Sequence, residues 1–330
     1  MIKNEIALIF RSKLRKRFSI ETLFYPIKKK GNIKIIELPY DFNSFLNLFK
    51  IFNFLIKIKQ KVIHITGDIN YVAIFLFWKK IIITVHDLNH LESLKGLKKI
   101  VYYLIWFRLP LNLATKIVVI SPYTKLQLLK HLKLDEKKII VIPNTFLKFK
   151  PLELEKIIRN HSFFQILCIG STENKNIERL IESMDQNDGV FLRLIGFYPN
   201  EIIDKLNLKN LKYSITNNLN RNELAIEYLS SDLVFFASTK EGFGLPILEA
   251  QSLGIPVLTS NTTSMPYVAG DGAVIVDPYS VSLIREKILL FVNKQINLQE
   301  LKDKGYANLE RFSESSFIKE YEKVYNSIKI

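Results

Sequence analysis

The chain has 330 residues, of which 48% are hydrophobic and 24% charged, with 12 glycines, 11 prolines and one cysteine. This composition excludes collagen-like, disulfide-stapled and wholly disordered proteins. Because single hydrophobic cores usually stop growing near ~250–300 residues, the length predicts two domains. Cys168 lies within an apolar run, so we expect a buried apolar side chain in a reducing compartment.

Positive charge is concentrated in the first half of the chain. Residues 1–150 hold 28 lysines and arginines against 9 acidic residues, whereas residues 151–330 hold 19 against 23. A biased genome would affect both halves alike, so the asymmetry favours an anionic partner for the first half. A membrane surface and a nucleic acid are the two candidates. The first half carries no recognisable nucleic-acid-binding motif, so we expect an anionic membrane surface and no nucleic acid.

The N-terminal apolar run of five residues is too short for a signal peptide, so none is expected. No apolar stretch reaches the ~18 residues of a membrane-spanning helix. The segment 94–111 mixes basic residues with apolar and aromatic ones, which suits the headgroup region of a bilayer. Its apolar and aromatic residues include Ile100, Tyr102, Tyr103, Leu104, Trp106 and Phe107. The alternative is a solvated basic surface with the aromatic side chains in the core.

Short runs rich in Ile and Val alternate with longer amphipathic ones along the chain. The strands predicted in the first half are residues 6–10, 33–38, 62–66, 81–85, 116–120 and 138–142. Those predicted in the second half are residues 165–169, 190–195, 211–215, 233–237, 255–259 and 273–276. This alternation predicts two successive α/β domains with parallel sheets, joined near residues 144–152.

Polar and small residues follow these predicted strands. In open parallel sheets, ligands gather outside the carboxyl ends of the strands, so these residues are site candidates. In the first half they are Arg11, Asp68, His86, Asp87, Ser121 and Asn144, and in the second half they include Gly170, Ser171, Ser238 and Glu241. A lone histidine is more often a satisfied structural residue, and that alternative stays open for His86.

The most specific segment follows the predicted strand at 233–237. It reads Glu241, Gly242, Phe243, Gly244 and Leu245. Pro246 suits the first turn of a following helix, and Gly254 suits its C-terminal end. Backbone N–H groups at such a helix start are a ready site for an anion such as a diphosphate. Glu249 would then lie about one turn inside the helix, where it and the loop carboxylate can face one ligand. If the two glycines are considered without the rest of the segment, an ordinary structural turn is the alternative to an anion site.

The segment from Glu241 to Ala250 resembles the Glu-x7-Glu signature of the retaining glycosyltransferase family four, the glycosyl transferases group 1. The resemblance continues through residues 254–260, 265–273, 276–278, 169–180, 141–144, 85–87 and 312–325, so it covers nearly the whole chain. Members of that family have the α/β GT-B fold, in which two Rossmann-like doubly wound domains face each other across a cleft. The resemblance implies an acceptor-binding domain at 1–148, a nucleotide-sugar-binding domain at 149–312, and a C-terminal helix at 313–330 packing back towards the first domain.

The same resemblance implies roles for individual residues. Glu241 is expected to contact the transferred sugar and Glu249 the ribose hydroxyls. The backbone of Gly242, Phe243, Gly244 and Leu245 would approach the diphosphate and sugar. Lys175 is expected to bind the diphosphate, with Ser171 nearby, and His86 would line the sugar side.

The sequence departs from the family pattern at two places. Many relatives carry an arginine directly after the glycine that corresponds to Gly170, whereas this chain has Ser171. Arg179 is the candidate replacement, and an exposed helix arginine is the alternative. Arg11 stands where GT-B enzymes commonly have a glycine-rich first loop, so its role as an acceptor or cleft residue is open.

The resemblance further implies retaining transfer of a hexose-like sugar from a nucleotide-sugar donor to a glycan or lipid-linked glycan acceptor. Bacterial surface polysaccharide synthesis (O-antigen, capsule or lipopolysaccharide) is the expected setting, at the inner face of the cytoplasmic membrane. No cofactor and no metal are expected, since the leaving phosphate would help to deprotonate the acceptor hydroxyl. The alternatives are a sugar-nucleotide epimerase, a non-catalytic sugar-nucleotide binder and, remotely, a nucleic-acid-binding protein.

Overall fold

The computed structural model describes residues 5–12, 19–30, 33–146, 148–149 and 162–329. The chain divides into two compact units. The first unit comprises Met1–Thr145 and Phe312–Ile330, and the second comprises Phe146–Arg311. Within the described ranges, no helix is both long enough and apolar enough to cross a bilayer.

A six-stranded parallel sheet forms the centre of the first unit. Its strands are β1 (Ile6–Phe10), β2 (Lys34–Glu37), β3 (Val62–Ile65), β4 (Lys80–Val85), β5 (Lys116–Val119) and β6 (Ile139–Val141). They lie in the order β2-β1-β3-β4-β5-β6, and every neighbouring pair is parallel. All five residues of β1 are buried, because helices cover both faces of a parallel sheet. The six strands predicted from the first half of the sequence are therefore confirmed.

Helices of the first unit flank this sheet. They are α1 (Ser19–Lys30), α2 (Phe45–Leu55), α3 (Asn89–Ser93), α4 (Gly96–Tyr102), α5 (Leu109–Leu113), α6 (Pro122–His131) and α14 (Glu314–Asn326). A 3₁₀ segment, Asn70–Leu76, follows β3, and a π-helical turn, Tyr103–Arg108, joins α4 to α5. The helix α14, from the end of the chain, packs on α1: the ring of Phe24 lies 5.8 Å from that of Phe317 and 5.5 Å from that of Tyr321.

A buried hydrogen-bond network fixes α14 to the sheet of the first unit. His64 on β3 is bonded through Nδ1 to the hydroxyl of Tyr325 at 2.8 Å and through Nε2 to Oγ1 of Thr84 at 2.8 Å. The Thr84 hydroxyl lies 3.1 Å from the hydroxyl of Tyr321. Burial lowers the pKa of His64 to about 3, so the ring is neutral at physiological pH.

The second unit has its own six-stranded parallel sheet. Its strands are β7 (Phe164–Ile169), β8 (Val190–Ile195), β9 (Lys212–Thr216), β10 (Leu233–Phe236), β11 (Val257–Ser260) and β12 (Val274–Val276). Their order is β12-β11-β10-β7-β8-β9. From β7 the chain first adds β8 and β9 on one side of that strand. It then crosses back to pair β10 with the other side of β7 and adds β11 and β12 beyond it. The strands predicted in the second half of the sequence are confirmed within two residues at each end.

Helices also flank the second sheet. They are α7 (Ile177–Ser183), α8 (Asn200–Leu208), α9 (Arg221–Leu229), α10 (Leu245–Ser252), α11 (Met265–Ala269), α12 (Val281–Val292) and α13 (Leu298–Leu309). Cys168 on β7 is fully buried among apolar neighbours, and burial raises the pKa of its thiol. The expectation of a buried apolar cysteine is confirmed. Pro246 lies in the first turn of α10, and Gly254 follows its C-cap with φ +66, as predicted.

Candidate functional site

The strand order of each sheet identifies the place at its edge where a ligand is expected to bind. In the second unit the direction of winding reverses between β7 and β10, and in the first unit it reverses between β1 and β3. Ligands of open α/β sheets bind at such switch points, outside the carboxyl ends of the strands. Lys175 and Glu241 follow the strands that flank the switch point of the second unit, and Arg11 and Asp68 follow those of the first.

Lys175 and Glu241 form a partly buried ion pair at the switch point of the second unit. The Nζ atom of Lys175 donates to Oε1 of Glu241 at 2.5 Å, and the two side chains are 19% and 16% exposed. The same ammonium lies 4.6 Å from the ring centroid of Phe236, at the end of β10. The lysine stem crosses Gly170: a Cβ added there would lie 2.8 Å from Cε of Lys175, at a residue with φ +93. A glycine is required at this position for the lysine to lie where it does.

Asn174 joins the loops that carry the two charges. Its side-chain amide donates to Oε1 of Glu241 at 3.1 Å and to the carbonyl of Lys240 at 2.8 Å. The backbone N–H of Thr239 donates in turn to the carbonyl of Asn174 at 2.9 Å. The loop after β7 and the loop after β10 are thereby held together, and the Glu241 carboxylate has two donors that orient it.

The glycine loop leads directly into α10. Gly244 is the residue before the helix, and the backbone carbonyl of Phe243 accepts a hydrogen bond from the Ser264 hydroxyl at 2.7 Å. That hydroxyl also lies 3.0 Å from the carbonyl of Glu241. The Ser264 hydroxyl therefore contacts two carbonyls of the loop and fixes its course. This loop carries Glu241 of the Lys175–Glu241 pair and leads into the start of α10.

Glu249 lies one turn inside α10 and is held by two donors. Arg221, the first residue of α9, donates from Nη1 to Oε1 at 2.7 Å, and the hydroxyl of Tyr228 donates to Oε2 at 2.9 Å. The arginine also stacks on Phe149, with the guanidinium carbon 4.1 Å from the ring centroid. Burial raises the pKa of Tyr228 well above its ordinary value, so the hydroxyl keeps its proton. A carboxylate has about four acceptor positions, so two donors orient Glu249 without saturating it.

Asn176, the residue before α7, does not cap the helix with its side chain, although asparagine is common at that position. It has φ +64 and makes no capping hydrogen bond. Its side-chain amide instead donates to the carbonyls of Ala237 at 3.0 Å and Pro278 at 2.7 Å. These two carbonyls lie 61 and 102 residues further along the chain, so no local pattern of residue types reveals them.

Ser171 and Arg179 line a cavity of this unit with a volume of about 430 Å³. Arg179 donates to Oδ1 of Asn176 at 2.9 Å and lies 5.3 Å from the ring centroid of Tyr279. The carboxylates on this cavity are those of Glu173, Glu178, Glu182 and Glu201. Their charge disfavours a diphosphate inside the cavity, so the anion site expected in this unit is the one beside Lys175.

In the first unit, Arg11, Asp68, His86 and Asp87 line one cavity of about 180 Å³. Arg11 is committed to a buried ion pair: Nε and Nη2 donate to the two carboxylate oxygens of Glu21 at 2.6 and 2.8 Å. Its stem packs on Gly67, where an added Cβ would lie 3.2 Å from Cγ of Arg11. The hydrogen bonds to Glu21 raise the pKa of Arg11, so the guanidinium stays positively charged where it lines the cavity.

His86 is a neutral ring with one defined hydrogen bond. Its Nε2 lies 2.7 Å from the carbonyl oxygen of Thr66, so Nε2 carries the proton and donates. Burial lowers the pKa of His86, and the neutral ring then has Nδ1 as an acceptor. The side chain lines the cavity and is suited to accept a hydrogen bond from a hydroxyl group.

The structure places Ser121 and Asn144 away from this cavity lining. Ser121 is fully buried and is the N-cap of α6: its hydroxyl accepts from the N–H of Thr124 at 3.1 Å. Asn144, after β6, is 4% exposed, and its Oδ1 has no hydrogen-bond partner within the described ranges. The capping bond accounts for Ser121, whereas Asn144 stays a candidate.

Sequence reasoning missed several residues that shape these sites. Asn174, Arg221 and Tyr228 orient the two glutamates, and Asn70 and Tyr102 line the cavity of the first unit. Arg221 and Tyr228 lie 28 and 21 residues before Glu249 in the sequence, so no local pattern reveals their contact with it. Asn174 had a signal, because it directly precedes Lys175 in a loop after a strand. Among the described residues, no group of three or more His, Cys, Asp or Glu side chains is arranged to hold a metal ion.

Comparison with known proteins agrees with this geometry. The chain is similar to the O-antigen chain mannosyltransferase B of Escherichia coli, with 38% identity over 91 residues, which cover 28% of this chain and 24% of that protein. It is similar to the capsular polysaccharide biosynthesis glycosyltransferase CapM of Staphylococcus aureus, with 28% identity over 289 residues, covering 79% of this chain and 74% of that one. The crystal structure of Anabaena HepE in complex with UDP and glucose matches the fold with a TM-score of 0.76 and 15% identity, over 98% of this chain and 100% of that one.

Two family models account for most of the chain. Residues 26–146 match the model described as Glycosyltransferase Family 4, and residues 150–308 match the model described as Glycosyl transferases group 1. The first match contains β2 to β6 of the first sheet, and the second contains the whole second sheet together with Glu241 and Glu249. The chain therefore belongs to the group 1 glycosyltransferases of family four, and its fold is GT-B.

Proposed function

We propose that the protein is a retaining glycosyltransferase that moves a sugar from a nucleotide-sugar donor to a glycan or lipid-linked glycan acceptor. The observation that carries the proposal is the Lys175–Glu241 pair beside the start of α10, with Glu249 one turn inside that helix. A cation, a helix N-terminus and two oriented carboxylates match the diphosphate and hydroxyl groups of a nucleotide sugar. The names of the relatives support a role in O-antigen or capsule synthesis in bacteria.

Each donor group has a partner in this scheme. Lys175 and the Gly242–Leu245 backbone neutralise the diphosphate, whose charge grows as the nucleotide leaves. Glu241 accepts hydrogen bonds from the transferred sugar. Glu249, oriented by Arg221 and Tyr228, accepts hydrogen bonds from the ribose hydroxyls. Ser171 stays a proposed donor contact on the neighbouring loop.

The reaction proposed here needs no protein nucleophile. The leaving phosphate deprotonates the acceptor hydroxyl on the face from which it departs, and configuration is retained. His86 accepts a hydrogen bond from the sugar through Nδ1, because its Nε2 proton is committed to Thr66. We also propose that no metal ion and no cofactor take part.

A panel of UDP-, GDP- and ADP-sugars tests this function. Binding is measured by calorimetry, and slow donor hydrolysis is followed by release of the nucleoside diphosphate. We expect one nucleotide class to bind, and the released sugar to retain its anomeric configuration. A product that is an epimer of the donor sugar would favour the epimerase, and binding without turnover in the presence of acceptors would favour a non-catalytic binder.

Two variants separate the glutamates. Glu241→Gln removes a contact at the reacting sugar and is expected to lower kcat strongly, whereas Glu249→Gln removes ribose contacts and is expected to raise KM chiefly. Near-wild-type turnover of Glu241→Gln would sink the assignment. Glu286→Gln, at an exposed position of α12, serves as the control with the same chemical change.

We further propose that the first unit binds an anionic membrane surface, where a lipid-linked acceptor resides. The apolar residues Leu97, Ile100, Val101 and Leu104 are 75%, 56%, 46% and 38% exposed. They recur at the spacing of one helix face along α4 and the following π-helical turn. Exposed basic side chains at Lys95, Lys98 and Arg108 flank them. This combination is typical of a helix that lies in the headgroup region.

The aromatic residues of this segment behave differently from the expectation. Phe107 is 3% exposed, and Tyr102, Tyr103 and Trp106 are partly buried against the hydrophobic core. Their rings contact the hydrophobic core of the first unit. Aliphatic side chains therefore form the surface proposed to meet lipid. A second exposed apolar group, Phe45, Leu46 and Phe49 on α2, extends the apolar surface of this unit.

Flotation with liposomes tests the membrane proposal. Anionic liposomes at low salt are expected to carry the protein, and neutral liposomes or high salt are expected to release it, because the Debye length falls from ~10 Å at 0.1 M to ~3 Å at 1 M. The double variant Lys95→Glu/Lys98→Glu should lose more than tenfold in affinity, since each basic residue contributes ~1 kcal/mol. Lys209→Glu/Lys294→Glu in the second unit is the matched control. Equal binding to both lipid types, or tighter binding to nucleic acid, would contradict the proposal.

A further inference from the structure

Thr263 has a backbone conformation that a β-branched residue rarely adopts. It lies in the loop between β11 and α11, and its φ is +56, in the left-handed region. The side chain crowds the backbone there, so this conformation costs folding free energy. Within the ranges that the structure describes, the other non-glycine residues with a positive φ are Asn176, Asn210, Asn218 and Lys294. Asparagine tolerates this conformation and lysine has no β-branch, so Thr263 is the most strained of the five.

The Thr263 hydroxyl contacts the backbone of Glu241. Its Oγ1 accepts a hydrogen bond from the Glu241 N–H at 3.3 Å and can donate to Sδ of the buried Met265 at 3.7 Å. The two contacts are compatible, because a hydroxyl donates one proton and keeps lone pairs that accept another. Glu241 lies 22 residues earlier in the sequence, so the bond joins the loop after β11 to the loop after β10.

Ser264, the next residue, contacts the same loop with its own hydroxyl. It occupies the N-cap position of α11, where a serine side chain commonly bonds to the first turn of the helix, but it makes no such bond. Its hydroxyl lies 3.0 Å from the carbonyl oxygen of Glu241 and 2.7 Å from that of Phe243. The N–H and the carbonyl of Glu241 are therefore both held by one loop, although this arrangement strains Thr263 and leaves α11 without a side-chain cap.

We propose that Thr263 is a positioning residue of the transferase: its hydroxyl fixes the backbone of Glu241 so that the carboxylate meets the transferred sugar in the reactive geometry. The proposal rests on the glycosyltransferase function and on the sugar contact proposed for Glu241. Lys175 and Asn174 orient the carboxylate itself, whereas Thr263 and Ser264 fix the backbone that carries it. A displacement of about 1 Å at a reacting group is enough to slow an enzyme strongly. Backbone strain beside such a group is typical of a functional site.

Serine and alanine at position 263 isolate the hydroxyl. Thr263→Ser keeps it and Thr263→Ala removes it, and neither side chain is branched. Hydrolysis of the donor identified from the nucleotide-sugar panel is followed by release of the nucleoside diphosphate. We expect the kcat of Thr263→Ser to stay within about twofold of wild type and that of Thr263→Ala to fall about tenfold, as for loss of one hydrogen bond. The Kd of the nucleoside diphosphate should be unchanged in both variants, because Lys175 and Glu249 are intact.

Glycine separates strain from positioning. Thr263→Gly removes the hydroxyl and also the cost of the left-handed conformation, so its Tm should exceed that of Thr263→Ala, while its kcat should be equally low. A more stable variant with the same low turnover shows that the loss does not come from poorer folding. Lys294→Gly is the matched control, because Lys294 also has φ +56, at an exposed position after α12, and its kcat should equal that of the wild type.

The outcomes distinguish this role from the proposed function. If Thr263→Ala and Thr263→Gly turn over as fast as the wild type while Glu241→Gln is slow, the positioning role is wrong and the transferase function stands. An equal loss of kcat in Thr263→Ser and Thr263→Ala would also overturn the role, since the hydroxyl would then not matter. Weaker binding of the nucleoside diphosphate in parallel with the lower kcat would overturn it as well, because the whole donor site would then be disturbed. If the wild type binds and hydrolyses no nucleotide sugar, the function fails and the positioning role fails with it.

Discussion

At the level of single residues, neighbouring side chains orient the two carboxylates that are proposed to bind the donor. Glu241 has two donors on one oxygen, and Glu249 has one donor on each oxygen. Both carboxylates are therefore oriented by neighbours that lie far away in sequence. Such preorganisation reduces the conformational entropy that substrate binding has to overcome.

Lys175→Ala tests the diphosphate contact. Loss of a charge-assisted hydrogen bond is expected to weaken binding of a nucleoside diphosphate by ~1.5–3 kcal/mol, measured by calorimetry. Lys205→Ala removes a lysine of the same unit that pairs with Glu178 at an exposed position, and it should leave the affinity unchanged. If Lys175→Ala binds the nucleoside diphosphate with wild-type affinity, Arg179 or another cation contacts the diphosphate instead.

His64 predicts a dependence of stability on pH. Its pKa is about 3 in the folded protein and 6.5 in its ordinary state, so the unfolded chain binds the proton more tightly. Its contribution is fully present above pH 6.5 and is lost as the pH falls from there towards 3, by up to ~1.4 kcal/mol per pH unit. The facing groups are Thr84, Tyr321 and Tyr325, with His86 nearby.

Chemical denaturation of the wild type and of His64→Gln between pH 7 and pH 5 measures this effect. The variant lacks the titrating ring and should show a shallower slope of unfolding free energy against pH. Equal slopes in both proteins would contradict the assignment to His64.

At the scale of elements, the carboxyl ends of the strands determine where the site residues lie. The Gly-rich loop after β10 leads into α10, whose first turn carries Pro246 and whose end is marked by Gly254. Because α10 has only eight residues, the position of Glu249 depends on how both ends of the helix are held. Its C-terminal end is also crowded, because Gly254 lies against the Tyr306 hydroxyl of α13.

Gly254→Ala and Gly189→Ala form a matched pair. Both glycines have φ +66, so alanine should cost each about 1 kcal/mol of backbone strain. An added Cβ at Gly254 would lie 2.4 Å from the Tyr306 hydroxyl, whereas nothing lies within 4 Å of one at Gly189. Denaturant unfolding should therefore show a larger loss of stability for Gly254→Ala. Equal losses would mean that Tyr306 moves aside freely.

At the scale of the whole molecule, the two units differ in charge and in the ligands proposed for them. The excess of basic residues lies in the first 150 positions, together with the exposed apolar face of α4. The groups proposed to bind the donor lie in the second unit. This division suits an enzyme whose acceptor is presented at an anionic surface and whose donor arrives from solution.

Chelation tests the proposal that the reaction uses no metal. Transfer is expected to be unchanged after dialysis against EDTA and to be unaffected by added Mg²⁺ or Mn²⁺. Recovery of a lost activity by one of these ions would contradict it. The measurement is made on the full chain with the donor identified from the nucleotide-sugar panel.

The twelve strands, the division into two α/β units, and the places of Glu241 in a loop and Glu249 in the helix after it could be predicted from the sequence. They depend on local apolar runs and on residue spacing along one loop and helix. The family resemblance also assigned Lys175 and Glu241 to one donor site, and this assignment stays a prediction. The hydrogen-bond partners are visible only in the folded chain: Arg221 and Tyr228 on Glu249, Glu21 on Arg11, and Tyr325 on His64. The fold also shows that the aromatic residues Tyr102, Tyr103 and Trp106 pack against the core, and that the side-chain oxygen of Asn70 accepts no hydrogen bond from the described residues. Such contacts join residues distant along the chain, and their strength depends on burial, which a local pattern of residue types does not encode.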